Sequence, residues 1–221
     1  EDINSINVAQ KLAAVTDSYN LQILTVIGDD SLNSLPDFDQ QGFVSYCDWL
    51  WSSFSGEDVL GPDFWTAMIS RALKVREAAG LASNPLTNCF RLVHGEGDGL
   101  PGLIIDWYDG VCVMQAHSVG MFRAKGAICD ALRNVFGDRL KAVYDKSSGT
   151  APFKAGLDLV DGYLFKADGF SDDEQVVLEN GNRFLVNWTE GQKTGFFLDQ
   201  RENRALVGSC SKGRTVLNVF C

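Results

Sequence analysis

The stretch GQKTGFFLDQRENR, from Gly191 to Arg204, decides the fold together with the seven residues TVLNVFC, from Thr215 to Cys221. The first stretch opens with a glycine-flanked polar turn, after which Phe197, Arg201 and Arg204 recur three or four residues apart and predict a helix. The second stretch is an apolar, β-branched run that predicts a buried strand. A helix followed by a buried strand is typical of the start of a doubly wound nucleotide-binding sheet, whose ligands lie beyond the carboxyl end of the strand.

These stretches resemble the start of the S-adenosylmethionine (SAM) domain of bacterial 23S rRNA cytosine-C5 methyltransferases of the large-subunit methyltransferase I type. A second motif, HGEGDGLPGLIIDWYDG from His94 to Gly110, resembles the central-domain signature of the same family. The resemblance covers about Phe54 to Cys221 and is specific, because two long motifs occur in the family order and spacing. It implies a cytoplasmic class I enzyme with SAM as cofactor and ribosomal RNA as partner.

The resemblance places the polar turn beside the cofactor. A Lys or Arg there suits the methionine carboxylate, a hydroxyl and turn amides add hydrogen bonds, and a phenylalanine can cover the thioether or the adenine. The candidate cofactor-binding residues are Gln192, Lys193, Thr194, Phe196, Phe197 and Arg201. The alternative is a helix start that only braces the sheet, with Asp199 paired to Arg201 or Arg204 on its surface.

No catalytic residue is predicted within the chain. In the resembling family a glycine-rich cofactor loop, an acidic ribose ligand and a cysteine nucleophile follow this point. That cysteine attacks C6 of cytosine so that C5 becomes nucleophilic toward the methyl group. The nucleophile is therefore expected beyond Cys221, which itself belongs to the predicted strand. We expect residues 1–221 alone to be inactive and to bind little SAM.

Three regions are predicted along the chain. Residues 1–55 show little family signal, although Ile6–Val26 has helix-like spacing and the family would have a small RNA-binding domain of the pseudouridine-synthase-and-archaeosine (PUA) type here. Residues 56–188 predict a central α+β domain with a leading helix, and residues 189–221 the start of a Rossmann-like SAM domain. The central elements are a helix from Gly61 to near Gly80, a strand Cys89–Val93, hairpins Leu103–His117 and Val176–Trp188, a helix Met121–Phe136 and a strand Leu140–Tyr144.

The net charge of −10 is unevenly distributed. Residues 1–120 hold 5 Lys or Arg against 16 Asp or Glu, whereas residues 121–221 hold 14 against 13. An RNA-binding surface must therefore be a local patch, since the chain as a whole would repel phosphate. One basic cluster, Arg71, Lys74 and Arg76, predicts a solvated helix face, with an RNA-backbone contact as the alternative.

The acidic loop, the histidines and the cysteines are predicted to have structural roles. The loop GEGDGLPG, Gly95–Gly102, lacks a phosphate-loop pattern and predicts a tight acidic connection between strands, with a metal-binding turn through Glu96 and Asp98 as the lesser alternative. Neither His94 nor His117 lies beside a nucleophile signature, so both are expected to be structural. Six cysteines without a CxxC pair argue against a zinc site and indicate core filling in a reducing cytosol.

The apolar segments of the chain also predict its partners. No apolar run reaches the roughly 18 residues of a membrane span, so no membrane association is expected. The apolar strand Val216–Phe220 would leave an open sheet edge and predicts association, with a homodimer as one outcome. Two other functional classes stay open, a non-catalytic RNA-binding or scaffold module and a small-molecule or metal-binding α+β domain built on the acidic loop.

Overall fold

The computed structural model describes residues 62–151, 157–172, 175–217 and 219, so the predictions for residues 1–55 lie outside the described residues. Helices and strands alternate irregularly along the chain, which confirms the α+β class. In chain order the elements are α1 (Pro62–Ala78), β1 (Cys89–His94), β2 (Leu103–Tyr108), β3 (Val111–Ala116), α2 (Val119–Arg123), α3 (Lys125–Phe136), β4 (Ala142–Asp145), β5 (Gly162–Lys166), β6 (Gln175–Glu179), β7 (Asn182–Val186) and α4 (Arg201–Ser211).

Five strands form the central sheet in the order β1-β2-β3-β4-β5. All neighbours are antiparallel except β3 and β4, which are parallel because α2 and α3 carry the chain back across the sheet. Strands β6 and β7 form a separate antiparallel pair. Both predicted hairpins are confirmed, with positive φ angles at the two residues of each turn, Asp109 and Gly110 (46° and 100°) and Asn180 and Gly181 (50° and 80°).

Helices α1 and α3 cover one face of the central sheet. The alternation of β2 directs Leu103, Ile105 and Trp107 to this face, and the first two are fully buried. The Trp107 ring stacks against Phe136 of α3 with centroids 4.3 Å apart, and against Phe90 of β1 at 6.4 Å. The larger apolar core of the described residues lies in this layer.

The opposite face is covered only at one end. There the pair β6–β7 and the segment that follows it pack on the buried residues Tyr108, Val111 and Val113. Trp188 stacks on Tyr108 with centroids 6.2 Å apart and donates its indole N–H to the Tyr163 hydroxyl at 2.9 Å. The polar end of the same face, at the start of β2 and the end of β3, stays open.

Three details differ from the sequence predictions. Strand β5 was not predicted, although its aromatic run Tyr163–Phe165 carries a strand signal. The helix predicted over Met121–Phe136 is two helices, because Ser118 caps an earlier start by accepting from the Met121 N–H and the chain turns at Ala124. The described part of Thr215–Cys221 forms no strand, and Leu217 is 83% exposed. A strand requires a hydrogen-bonding neighbour, and none of the described strands lies beside it.

Candidate functional site

The turn Gly191–Gly195 is pressed against the backbone of Asn187, which follows β7. A Cβ at Gly191 would lie 2.2 Å from the Asn187 carbonyl oxygen, and one at Gly195 would lie 2.7 Å from the same atom. The Gly191 N–H also donates to that oxygen at 3.0 Å. The two glycines of the motif are therefore required by close packing, which the sequence could only indicate as a turn.

Thr194 is at the centre of a buried polar network. Its side chain is fully buried, and its hydroxyl lies 2.6 Å from Asp106 Oδ2 and 2.8 Å from the Tyr108 hydroxyl. Asp106, also fully buried, accepts from Arg91 Nε at 2.9 Å. Burial, followed by the Asp106 charge, raises the pKa of Tyr108, so its phenol stays protonated. The Thr194 hydroxyl thus has its hydrogen-bond partners within the protein and does not face a ligand.

Helix α4 is fixed to the hairpin β6–β7 through Glu179. This carboxylate is 2% exposed and accepts from Arg204 Nε and Nη2, each at 2.7 Å. Arg201 lies 3.7 Å from Glu179 and donates instead to the carbonyl of Cys89 at 2.7 Å. A hydrogen-bonded pair that is shielded from water holds its partners far more firmly than a surface pair does.

Lys193 is the exposed charge of the turn. Its φ of 51° lies in the left-handed region, which a residue with a Cβ rarely adopts. Its ammonium lies 3.3 Å from Asp199 and 4.6 Å from the centroid of Phe197, and about half of each charged side chain is exposed. Gln192 is also exposed. Lys193, Asp199 and Phe197 therefore form a surface cluster whose charges are open to a ligand.

Phe196 differs from its neighbour Phe197 in its surroundings. Its half-buried ring lies 5.1 Å from the Phe184 ring, centroid to centroid, and the Arg204 guanidinium lies 4.4 Å from it. Phe197, in contrast, is 38% exposed. The structure thus divides the six predicted cofactor residues between an exposed set (Gln192, Lys193 and Phe197) and a set held by protein partners (Thr194, Phe196 and Arg201).

The acidic loop Gly95–Gly102 has a structural explanation. It begins with a single 3-10 turn, Gly95–Asp98, and Asp98 is held by a short ion pair with Arg76 and by the His94 N–H at 2.6 Å. Arg71 donates to the Asp98 carbonyl at 3.1 Å. Arg71 and Arg76 of the predicted basic cluster therefore bind this loop, and Lys74 is its one charge that is exposed and makes no contact with the loop. No group of three metal-ligating side chains was found among the described residues.

Four cysteines lie among the described residues. Three of them are buried, as predicted, but Cys210 of α4 is exposed, so the core-filling prediction is wrong for Cys210. Burial raises the pKa of Cys89 and of Cys129 to about 11, and that of Cys112 well above 9.0, so these three are protonated, unreactive thiols at neutral pH. Both His94 and His117 are exposed. Part of the His117 ring is nevertheless shielded from water, and this desolvation, with the nearby Arg91 charge, lowers the pKa of His117, so the ring is neutral at neutral pH.

The residues that support the turn are not among those predicted from the sequence. Asp106 accepts from Thr194, Asn187 fixes both glycines, and Glu179 anchors the arginines. One signal was present, since Asp106 is a charge within the apolar run LIIDWY and such a charge needs a buried partner. The partner itself, Thr194, lies 88 residues away and could not be identified by local spacing.

The chain is similar to proteins of the ribosomal RNA large subunit methyltransferase family. The chain is 38% identical over 169 residues to the ribosomal RNA large subunit methyltransferase I of Shewanella amazonensis, an alignment that covers 76% of this chain and 41% of the relative. It is 38% identical over 159 residues to the ribosomal RNA large subunit methyltransferase of Deinococcus radiodurans, covering 71% and 38%. The chain thus spans about two fifths of the length of these relatives. No family model matches it.

Solved structures share the fold. A Streptococcus mutans protein, described provisionally as a SAM-dependent methyltransferase, matches with a TM-score of 0.58 and 24% identity over 71% of this chain and 38% of that one. SMU.776, described provisionally as a methyltransferase and solved with SAH, matches with a TM-score of 0.55 and 24% identity over 68% and 36%. The sequence resemblance to the large-subunit methyltransferase I family is confirmed. The predicted homodimer has no support in the comparisons. None of the described helices is long and apolar enough to cross a membrane.

Proposed function

We propose that this chain, a relative of the ribosomal RNA large subunit methyltransferases, is part of a SAM-dependent enzyme that methylates ribosomal RNA. The observation that carries the proposal is the 38% identity over 169 residues to a named member of that family. Methylation of cytosine at C5 in 23S rRNA is the finer proposal, supported by the motifs His94–Gly110 and Gly191–Arg204. A cytoplasmic location is part of the same proposal, because ribosomal RNA is the substrate.

The exposed cluster at the turn suits the methionine end of SAM, which supplies the methyl group when it is bound. That end carries one carboxylate and one ammonium. Lys193 and Asp199 offer one charge of each sign on half-exposed side chains, so each could exchange its weak mutual contact for a ligand group. Phe197 adds an exposed apolar ring for the thioether or the adenine, and Gln192 an amide.

The buried residues of the motif have a second role in this proposal. Thr194, Phe196 and Arg201 hold the segment against Asp106, Phe184 and the Cys89 carbonyl, and thereby fix the position of Lys193. A binding group is most effective when its position is set before the ligand arrives, because less ordering remains to be done on binding. We accordingly assign residues 189–221 to the cofactor part of the enzyme and residues 56–188 to the central domain.

The activity is tested on the full-length protein that contains this chain. Purified protein, ribosomal RNA lacking base modifications and methyl-labelled SAM should give label in RNA, and mass mapping should place it on cytosine C5. Label on another base would overturn the finer proposal, and the absence of any label would overturn the methyltransferase proposal itself.

The cofactor assignment has its own test in the same protein. Lys193→Ala should weaken SAM binding about ten- to a hundredfold, because a charge-assisted contact contributes roughly 1.5–3 kcal/mol. Lys74→Ala, an exposed lysine on α1, is the matched control and should bind SAM normally. Unchanged affinity in Lys193→Ala, measured by calorimetry, would remove this turn from the cofactor site.

A further inference from the structure

A groove lies on the open end of the sheet face that faces away from α1 and α3. It is open to solvent, has a volume of about 480 Å³ and is lined by Arg91, Glu96, Ile104, Gln115, His117 and Lys193 among others. The strand register explains this grouping. Ile104 of β2 is paired with Gln115 of β3 on one side and with His94 of β1 on the other, so adjacent strands bring these side chains to one place. The volume is within the range of small-ligand sites, about 300–1,000 Å³.

The cations of the groove are partly neutralised. Arg91 is paired with the buried Asp106 and is one-third exposed, and its Nη1 lies 3.4 Å from His94 Nδ1. The Lys193 ammonium has loose contacts with Asp199 and with the Phe197 ring, and the Lys193 backbone carbonyl lies 3.5 Å from the Gln115 side-chain nitrogen. One exposed carboxylate, Glu96, lies on the groove wall. A bare polyphosphate is a poor match for this balance, because Glu96 would repel it.

A nucleotide matches the same set of groups. Its phosphate would face Arg91, since Lys193 is assigned to the cofactor. Its base would lie against Ile104, which is apolar, and against the neutral imidazole of His117. Unpaired RNA bases are recognised by stacking on such rings and by hydrogen bonds to their edges. A carboxylate accepts from an exocyclic amino group, as Asp and Glu do from the N4 amine of cytosine.

We propose that this groove binds one unpaired, amino-bearing nucleotide of an RNA substrate, with Glu96 accepting from the base amine. The proposal rests on the proposed function in taking RNA as the ligand. It adds a site on the central sheet, outside the exposed cluster assigned to SAM except for the shared border at Lys193. An RNA double helix would be excluded from it, because its bases stay stacked and its amines lie in a deep, narrow major groove that side chains cannot reach.

The test compares two short single-stranded RNAs of equal length, oligo(C) and oligo(U), with the chain of residues 1–221 in the absence of SAM. Fluorescence anisotropy should show oligo(C) binding about five- to tenfold more tightly than oligo(U). Glu96→Ala should bring that ratio to about one. Glu77→Ala, an exposed carboxylate of α1 outside the groove, is the matched control and should keep the ratio. His117→Ala should weaken both oligonucleotides at least about fivefold, since it removes a stacking ring.

The ratio is informative because partial misfolding would lower both affinities together. A wild-type ratio of one, a ratio that persists in Glu96→Ala, or an equal loss in Glu77→Ala overturns the proposal. The readout is independent of methyl transfer. If the unmodified chain shows no preference for oligo(C) while the full-length protein methylates RNA, the groove proposal is overturned and the proposed function stands. If the preference is present and no methylation occurs, only the proposed function is overturned.

Discussion

Two glycine-rich segments of this molecule, the loop Gly95–Gly102 and the turn Gly191–Gly195, look alike in sequence and differ in where their charges lie. The loop turns Asp98 inward to Arg76, where the two side chains are 6% and 11% exposed. The turn directs Lys193 outward, where it is 48% exposed. Glycine content therefore indicates only that the backbone bends tightly. Whether the charge beside it stabilises the fold or is available to a ligand depends on its burial.

The largest expected effect is the loss of the inward charge. Asp98→Ala should lower the free energy of unfolding by about 3–5 kcal/mol, because it leaves Arg76 buried without its carboxylate. Urea denaturation measures this change. Glu96→Gln alters an exposed carboxylate of the same loop and should change stability by less than about 0.5 kcal/mol. Equal effects of the two substitutions would show that burial does not separate these residues.

Glycine substitutions should reverse this ranking, so that the turn Gly191–Gly195, and not the loop Gly95–Gly102, is the segment that loses stability. Gly195→Ala would place a Cβ 2.7 Å from the Asn187 carbonyl oxygen at a φ of 111°, and the backbone strain alone costs about 1–3 kcal/mol. Gly97→Ala meets only the His94 ring at 3.7 Å, an ordinary contact, and should stay within about 0.5 kcal/mol of the parent. Thermal unfolding of the two variants is the measurement. A tolerated Gly195→Ala would mean that the turn can move away from Asn187.

The backbone of a tight turn can be predicted from its own residues, whereas the contacts of its side chains cannot. Local signals predicted the hairpin turns at Asp109–Gly110 and Asn180–Gly181, because positive φ angles select those residues directly. The α+β class followed from periodicity in the same way. The partners of the turn residues could not be predicted, since Thr194 and Asp106 meet only after the chain folds. The composition of a motif therefore predicted its backbone, while tertiary contacts separated its exposed residues from its buried ones.

A smaller effect follows from the pKa of Asp98. Burial alone would raise this pKa, but the hydrogen bonds from Arg76 and the His94 N–H outweigh it and hold the pKa below 3.8. A pKa that is lower in the folded state gives stability that is present above the unfolded value and lost as the pH falls through the folded value. The parent should therefore lose more stability between about pH 4 and pH 2 than Asp98→Asn does. Parallel acid-unfolding curves for the two proteins would contradict the lowered pKa.

The smallest expected effect is on the outward charge. Lys193→Ala should change the melting temperature of the protein without ligand very little, because an ion pair as exposed as Lys193–Asp199 contributes less than about 0.5 kcal/mol. Lysine and alanine both carry a Cβ, so the substitution leaves the backbone strain at φ 51° in place and tests the rest of the side chain alone. Gly195→Ala, two residues away, is the internal reference for a change that the packing does not tolerate. If Lys193→Ala destabilised the fold by more than about 1 kcal/mol, the lysine would be a structural residue like Asp98. The outward position of its charge would then no longer support a ligand-binding role.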